Sequence, residues 1–374
     1  MTKARPSIWL ATLEIIWRTL VMGMAGAKNL ETLYVLRFFI GMLEASAYPG
    51  ILTLLGNWYT PQELGKRSSI FISSAMIAQM FSGYLQAALY TRIDSWNGFV
   101  VWRWLFIFDG ILGIPTFIYG VFAVPDNPTN TKARWITSEH KAMTVARIYR
   151  VGREPPGHLT WKTFREVFSM WPVYLFSTSF TAQVLGIRIY NYFTIYPRDV
   201  GHSVEETNLI PTAAFAFQAV LTLVYTCFSD AIQMRAPVIY VASSISLIGC
   251  ISLSVYPEKN PAAMMAGWFL TYGETGALAL ILSYVNEILS FSTEHHLVII
   301  GVVETCAFVM NAWVILFVYP SGDAPHFSIG YEMAAAFFVL EIVSIGSAWF
   351  CAVKWKPVLP AEDEAGNSEH AHIQ

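Results

Sequence analysis

Residues Trp102–Val124 read WRWLFIFDGILGIPTFIYGVFAV, and the next four are Pro125-Asp126-Asn127-Pro128. The stretch is an apolar block long enough to cross a bilayer, whose hydrocarbon core of about 30 Å needs about 20 residues of helix. Gly113 and Pro115 inside it would count against a soluble helix, whereas in membranes such residues are tolerated and let helices approach closely or bend. Trp102 and Trp104 stand at its head, where an interfacial aromatic belt places them. The Pro-Asp-Asn-Pro run is a strong terminator.

Working outward, blocks of the same kind lie at about 7–27, 31–56, 68–90, 170–195, 207–228, 236–256, 261–284, 296–319 and 329–351. Aromatic residues mark many of their ends, among them Trp58-Tyr59, Tyr319, and Trp349 with Trp355. Composition agrees. Of 374 residues 55% are hydrophobic and only 13% charged, against about 25% charged in an ordinary soluble domain. The fold class expected is therefore all-α, a polytopic membrane bundle of about ten transmembrane helices. The first block follows Met1–Pro6 directly and runs past the length of a cleavable signal peptide, so none is expected.

Several function classes are excluded at this level. A net charge of −3 gives no support for nucleic-acid binding. Cys227, Cys250, Cys306 and Cys351 lie in or beside apolar blocks without ligand-like spacing, which reads as small core residues rather than a disulfide framework. There is no HExxH, no GxSxG, no P-loop lysine and no GxGxxG opening a helix after a strand, so neither an enzyme nor a cofactor site is expected. His295-His296 is a poor metal site, because adjacent histidines point apart on a helix.

Charge placement predicts orientation. With the N-terminus in the cytoplasm, inside segments hold Arg5, Lys66, Arg67, Lys132, Arg134, Lys141, Arg147 and most of the other basic residues, while Lys28, Arg92, Arg103, Arg198 and Lys259 fall outside. This follows the positive-inside rule and puts both termini in the cytoplasm. The organisation expected is a four-span bundle over 1–124, a cytoplasmic linker over 125–168, a six-span bundle over 169–355 and a disordered tail from 356. Within the linker, Thr137-Ser138-Glu139 caps a short helix running to about Arg150. Its basic residues suit either anionic headgroups or plain solvation.

Charges inside spans are costly, at about 2.5–3.5 kcal/mol each on insertion scales, and each needs a reason. In the run from Leu36 to Gly50, Arg37 and Glu44 are seven apart, which places them on one helical face about 10 Å apart along the axis. Gly41 and Tyr48 share that face. Such a polar stripe suits a water-filled cavity in which Arg37 attracts an anion and Glu44 loads and releases a proton; the alternative is a structural interhelical pair. Arg188, Asn191 and Tyr192 form an i, i+3, i+4 set that would fit a substrate carboxylate, although Arg188 could also snorkel. Asp109 either braces a neighbouring helix or lines a path. Gln79, Gln86, Gln218, Glu274, Glu304, Asn311 and Glu341 read mostly as interhelical glue, and Glu14 with Arg18 as a self-neutralising i, i+4 pair.

Four segments resemble fungal members of the major facilitator superfamily: Lys3 to Leu10, Arg37 to Gly50, Gly56 to Arg67, and Asn208-Leu209-Ile210-Pro211-Thr212. The resemblance is to the allantoate permease branch of the anion:cation symporters, and within it to pantothenate and related vitamin transporters. It runs from Thr2 to about Trp355. It implies proton-coupled symport of a small carboxylate by a monomer in the plasma membrane, through two six-helix bundles related by a parallel pseudo-repeat. It further implies that Arg37 handles the anion and the proton and that Glu44 couples to the proton. Ser229-Asp230 through Arg235 looks like the second copy of a cytoplasmic gating motif, of whose first copy Lys3 and Arg5 remain.

The chain departs from the pattern in three places. Its spans align with helices three to twelve of a twelve-helix carrier, so the resemblance implies that the first two are lacking. That makes a transporter-derived fragment, or a non-transporting sensor or interaction protein, the alternative reading. Arg18 stands where a small residue is expected, and His295-His296 where a charged Glu/Arg motif is.

Overall fold

The computed structural model describes residues 5–45, 47–93, 98, 100–128, 131–150, 160–255, 260–288, 293–327 and 329–355. Among them there are helices and turns and no strand. The helices are α1 (Pro6–Met24), α2 (Leu30–Glu44), α3 (Ala47–Trp58), α4 (Pro61–Ile93), α5 (Val101–Ala123), α6 (Ser138–Arg150), α7 (Trp161–Val167), α8 (Trp171–Ile187), α9 (Ile195–Asp199), α10 (Val204–Ile232), α11 (Ala236–Val255), α12 (Pro261–Thr271), α13 (Ala277–Ile288), α14 (Thr293–Val318) and α15 (Gly330–Lys354). The tail from residue 356 and Lys3 lie outside the described residues.

All ten apolar blocks are helical, but not all as single rods. Among the described residues six helices, α1, α5, α10, α11, α14 and α15, are long and apolar enough to cross a membrane. Their outward faces fit that reading, since Phe122 is 74% exposed, Phe317 72% and Val353 75%. Side chains of that size left in water would each forgo about 1.5–3 kcal/mol, and lipid removes the penalty. Of the four remaining blocks, α4 is long but polar at its start, with Gln62, Glu63, Lys66 and Arg67. The other three are broken. One divides into α2 and α3, one ends α8 in a 3₁₀ turn over Arg188–Tyr192, and one inserts a 3₁₀ turn over Tyr272–Gly276 between α12 and α13. Irregular backbone at membrane depth leaves amide groups that must be satisfied by protein or by a water-filled cavity.

The chain forms two compact units, Met1–Pro155 with Tyr192–Thr226, and Pro156–Asn191 with Cys227–Gln374. In the first, α1 packs along α5 and α2. The α1–α5 seam rests on a size exchange: Met22 lies over Gly110, and the Arg18 stem lies over Gly113. The Arg18 head then reaches Asp109, Nη1 to Oδ1 at 2.6 Å. Glu14 accepts instead from Thr116 Oγ1 at 2.8 Å. Glu14 and Arg18 therefore do not neutralise each other; each ties α1 to α5. Arg18 is accommodated because the small residue stands opposite it. Gly83 of α4 meets α10 in a similar way, and a Cβ there would fall 2.6 Å from Thr212 Oγ1 and 3.0 Å from the Asn208 carbonyl oxygen.

Pro125-Asp126-Asn127-Pro128 ends α5 and knits three elements. The Asp126 carboxylate, 1% exposed, accepts from Arg5 Nε and Nη2 at 2.8 Å and from the Ser7 hydroxyl at 2.5 Å and amide at 3.1 Å. Trp58 Nε1 donates to the Asp126 carbonyl at 2.9 Å, and Asn57 Nδ2 to Asn127 Oδ1 at 2.9 Å. Burial opposes ionisation of Asp126, yet the Ser7 hydroxyl, the Arg5 guanidinium and the Ser7 N–H together hold its carboxyl below the usual carboxylate range. Past this junction, Thr137 Oγ1 caps α6 by accepting from the His140 amide at 3.3 Å, and Arg147 of α6 pairs with Glu63.

In the second unit, α8 packs between α14 and α15, and α11 packs on α15 and α12. Its core is aromatic, with Phe176, Trp268, Tyr272, Phe327 and Phe338 fully buried. The four cysteines are free. Only Cys250 is a buried core residue, while Cys227 and Cys306 are exposed, since they fall on outward helix faces.

Candidate functional site

Asn29 starts α2 by accepting from the Thr32 amide at 3.3 Å. The helix then carries Arg37 and Glu44 on one face, as seven residues at 100° each bring the chain almost back to its starting azimuth. Both side chains are exposed. Neither takes part in a hydrogen bond or an ion pair among the described residues, so the two are not a structural interhelical pair there. Glu44 is the last residue of α2, and α3 begins at Ala47. Tyr48 lies in α3, and its side chain, like Ser46 between the two helices, is outside the described residues. The pair is thus an arginine two turns before a helix end and a carboxylate at that end, both exposed.

The second group lies on the second unit. The Arg188–Tyr192 turn is 3₁₀, so side chains three apart eclipse. Arg188 and Asn191 therefore share an edge, whereas Tyr192, four residues on, does not share it as an α-helix would allow; Tyr192 is also grouped with the other unit. Arg188 is half-buried, and its Nε donates to Asn311 Oδ1 of α14 at 2.8 Å. That bond leaves the two terminal nitrogens of the guanidinium in the fork geometry that suits a carboxylate. Tyr190 stacks obliquely on Tyr272, with ring centroids 5.3 Å apart, and Tyr272 Oη donates to the Tyr190 carbonyl at 3.4 Å. Two irregular turns thus lie side by side, one cationic and both aromatic. Neither Asn311 nor Tyr272 stood out in the sequence as part of this group; the one available signal was a glycine-flanked polar run, Tyr272-Gly273-Glu274-Thr275-Gly276, in the middle of an apolar block.

The loop from α10 to α11 is closed by its own charges. Arg235 Nη1 meets Asp230 Oδ1 at 2.5 Å and Ser229 Oγ at 3.0 Å, and its Nε meets Glu287 Oε1 of α13 at 2.7 Å. Asp230 and Arg235 are therefore joined by an ion pair. Glu287, which the sequence did not single out, is the residue that fastens them to a neighbouring helix. Arg5, in turn, is held by Asp126. His295 faces Glu166 of α7, Nε2 to Oε2 at 3.0 Å, and no cluster able to hold a metal occurs among the described residues.

A family model described as Major Facilitator Superfamily matches residues 5–314. The chain belongs to the Major Facilitator Superfamily. Relatives within the superfamily include the MFS transporter PfmaC of Pestalotiopsis fici, 36% identical over 352 residues, covering 91% of this chain and 65% of the relative. The pantothenate transporter liz1 of Schizosaccharomyces pombe is 29% identical, covering 86% of this chain and 63% of the relative. The pantothenate transporter FEN2 of Saccharomyces cerevisiae is 28% identical, covering 91% and 68%. The chain thus spans about two thirds of the length of the curated relatives it matches. These three are named as transporters, and none as an enzyme. The superfamily fold is seen as well in the proton:xylose symporter XylE, which is 14% identical with a TM-score of 0.70 over 94% of this chain and 80% of that one. With its apolar helices, the protein is an integral membrane protein.

Proposed function

We propose that the protein is a secondary active transporter that carries a small organic anion, pantothenate or a related vitamin, together with protons. The observation that carries this reading is the free pair on α2. Arg37 and Glu44 share one face, are exposed, and are engaged with no other described group. A charge kept inside a span without a partner is costly to retain unless a mobile ion uses it. Arg37 attracts the carboxylate, and Glu44 at the helix end takes up and releases the proton. In the second unit Arg188, held by Asn311 and flanked by Tyr190, offers a second carboxylate contact with Asn191 beside it; Tyr48 and Tyr192 are the further polar candidates of the first unit. Two curated relatives named as pantothenate transporters support this substrate class.

The setting we propose is the plasma membrane, with the protein a monomer and both termini cytoplasmic. A four-span bundle through residue 124 and a six-span bundle over 169–355 are joined by the 125–168 linker and followed by the cytoplasmic tail. Asp230 and Arg235 then lie on the cytoplasmic side, where they act as a latch.

The test is uptake of labelled pantothenate by cells expressing the protein, with the external pH varied. Uptake is expected to rise as the inward proton gradient steepens. Glu44→Gln is expected to abolish that dependence while substrate still exchanges across the membrane. Gradient-driven uptake that survives undiminished in Glu44→Gln would remove Glu44 from proton coupling. No uptake of any tested carboxylate would remove the transport reading.

A further inference from the structure

The second unit contains two carboxylates that the reading above does not use. Glu274 sits in the 3₁₀ turn between α12 and α13 and Glu341 in the middle of α15, and both are 0% exposed. Sixty-seven residues separate them in sequence, by the difference of their numbers, yet they lie within interaction range of each other and of Ser243 on α11. Gln183 of α8, also 0% exposed, is aimed into the same place and donates from Nε2 to Glu274 Oε1 at 3.1 Å.

Four acceptor atoms here have no partner among the described residues: Gln183 Oε1, Glu274 Oε2, and both carboxyl oxygens of Glu341. A buried polar atom left without a partner costs about 1–3 kcal/mol, and more when charged. Four in one place, all of them acceptors, is therefore a specific deficit of donors. Interhelical glue would satisfy its own members, and this cluster does not.

The charges around it make no good the shortfall. The sequences of α8, α11, α12, α13 and the Tyr272–Gly276 turn contain no Lys, Arg or His. On α15 the one cation is Lys354 at the far end, which lies over Phe350 and Trp355. Arg188, just past α8, is engaged with Asn311, and Arg235, just before α11, with Asp230 and Glu287. The remaining titratable groups on these elements are Tyr174 on α8, Tyr240 and Cys250 on α11, Tyr272 beside Glu274, Tyr284 and Glu287 on α13, and Tyr331, Glu332 and Cys351 on α15. None of them is a cation. Two carboxylates side by side in a dry site without a counter-charge are not stable as two anions. The donor that fits is a proton: one O–H bond forms on an orphan oxygen and donates to the facing carboxylate, and the pair falls by one negative charge.

We propose that Glu274 and Glu341, bracketed by Gln183 and Ser243, form a second proton-binding site of the transporter, separate from Glu44. The site adjoins the Arg188 group. Glu274 is two residues from Tyr272, whose ring lies on Tyr190 and whose hydroxyl donates to the Tyr190 carbonyl. A carboxylate seated at Arg188 displaces or straightens these two turns together, so anion binding at one is linked to proton occupancy at the other. This linkage rests on the transport reading; the proton site itself does not.

Infrared difference spectra of the purified protein in lipid, recorded against pH, test the site directly. The wild-type protein is expected to show a protonated-carboxyl C=O band that Glu341→Gln and Glu274→Gln each diminish by one carboxyl. Gln183→Ala keeps both carboxyls and removes the donor to Glu274, so it is expected to shift the band in frequency without removing it. That variant serves if either glutamine variant does not fold. An unchanged band in all three would overturn the site. So would a band that appears only when sodium is withdrawn, which would make the ligand a metal cation. Uptake measured alongside separates the two claims: wild-type uptake that ignores the proton gradient defeats the transport reading whatever the spectra show. Gradient-driven uptake unaltered in Glu341→Gln defeats the linkage alone.

Discussion

Replacing Gly113 by alanine would load the α1–α5 seam at a point where its cost can be worked out. An added Cβ falls 2.6 Å from Arg18 Cγ, 2.7 Å from Cδ and 3.0 Å from Nε. No real Cβ sits so close, and the contact is with the middle of the arginine stem, so the whole side chain must move. Overpacking of this kind costs about 1–3 kcal/mol. Arg18 would also leave Asp109, but the two side chains are 28% and 44% exposed, and a pair so open adds about 0.2–1 kcal/mol. Against this, alanine is the better helix former by about 0.5–1 kcal/mol. The net expectation is a loss of about 1–2 kcal/mol, read by equilibrium unfolding in mixed micelles. The decisive comparison is the double-mutant cycle with Arg18→Ala. Once the stem is gone, Gly113→Ala should cost nothing or stabilise slightly. An equal cost in both backgrounds would refute the size exchange.

Three further outcomes follow from the same contacts. Asp126→Asn should lose about 1.5–3 kcal/mol at neutral pH, toward the lower figure because Arg5 is 43% exposed. Since the folded state holds the Asp126 carboxyl below its usual value, its stabilisation is full above the ordinary carboxylate pKa of about 3.9 and lost as pH falls through the lower folded value. Unfolding of wild type and variant across pH should therefore converge only in acid. Gly83→Ala, whose Cβ would strike Thr212 and a backbone oxygen of Asn208, should destabilise more than Gly41→Ala or Gly120→Ala, where a Cβ meets nothing within 4 Å; equal effects in unfolding assays would count against a tight α4–α10 approach. Arg188→Lys keeps the charge but loses the planar fork, and should raise the KM for the transported carboxylate about tenfold, or about 1.4 kcal/mol.

Long-range apolar pattern was legible in the sequence, and local backbone irregularity was not. The block read as 102–124 is α5 at Val101–Ala123, and the one read as 236–256 is α11 at Ala236–Val255. Hydropathy averaged over about 20 residues sees these directly. It cannot see a short change of helix type, and so the 3₁₀ turns at Arg188 and Tyr272 went unread. Partners were the other blind spot. Arg5 and Asp126 are 121 residues apart and Gln183 and Glu274 are 91 apart, and no spacing rule links them. Arg37, Glu44 and Arg188 could be singled out because each is a charge in an apolar span, whereas Asp230 and Arg235 were implied only by the family resemblance. Which of them are tied down, and which are free, is a property of packing.

The measurement that reaches the central claim most directly is proton movement on addition of substrate. The protein would be reconstituted in sealed vesicles holding a pH-sensitive dye, with no imposed pH gradient, and given external pantothenate. Symport is expected to acidify the interior in step with entry of labelled substrate, and Glu44→Gln to separate the two. Entry of pantothenate with no change in internal pH, reproduced at several substrate concentrations, would contradict the account.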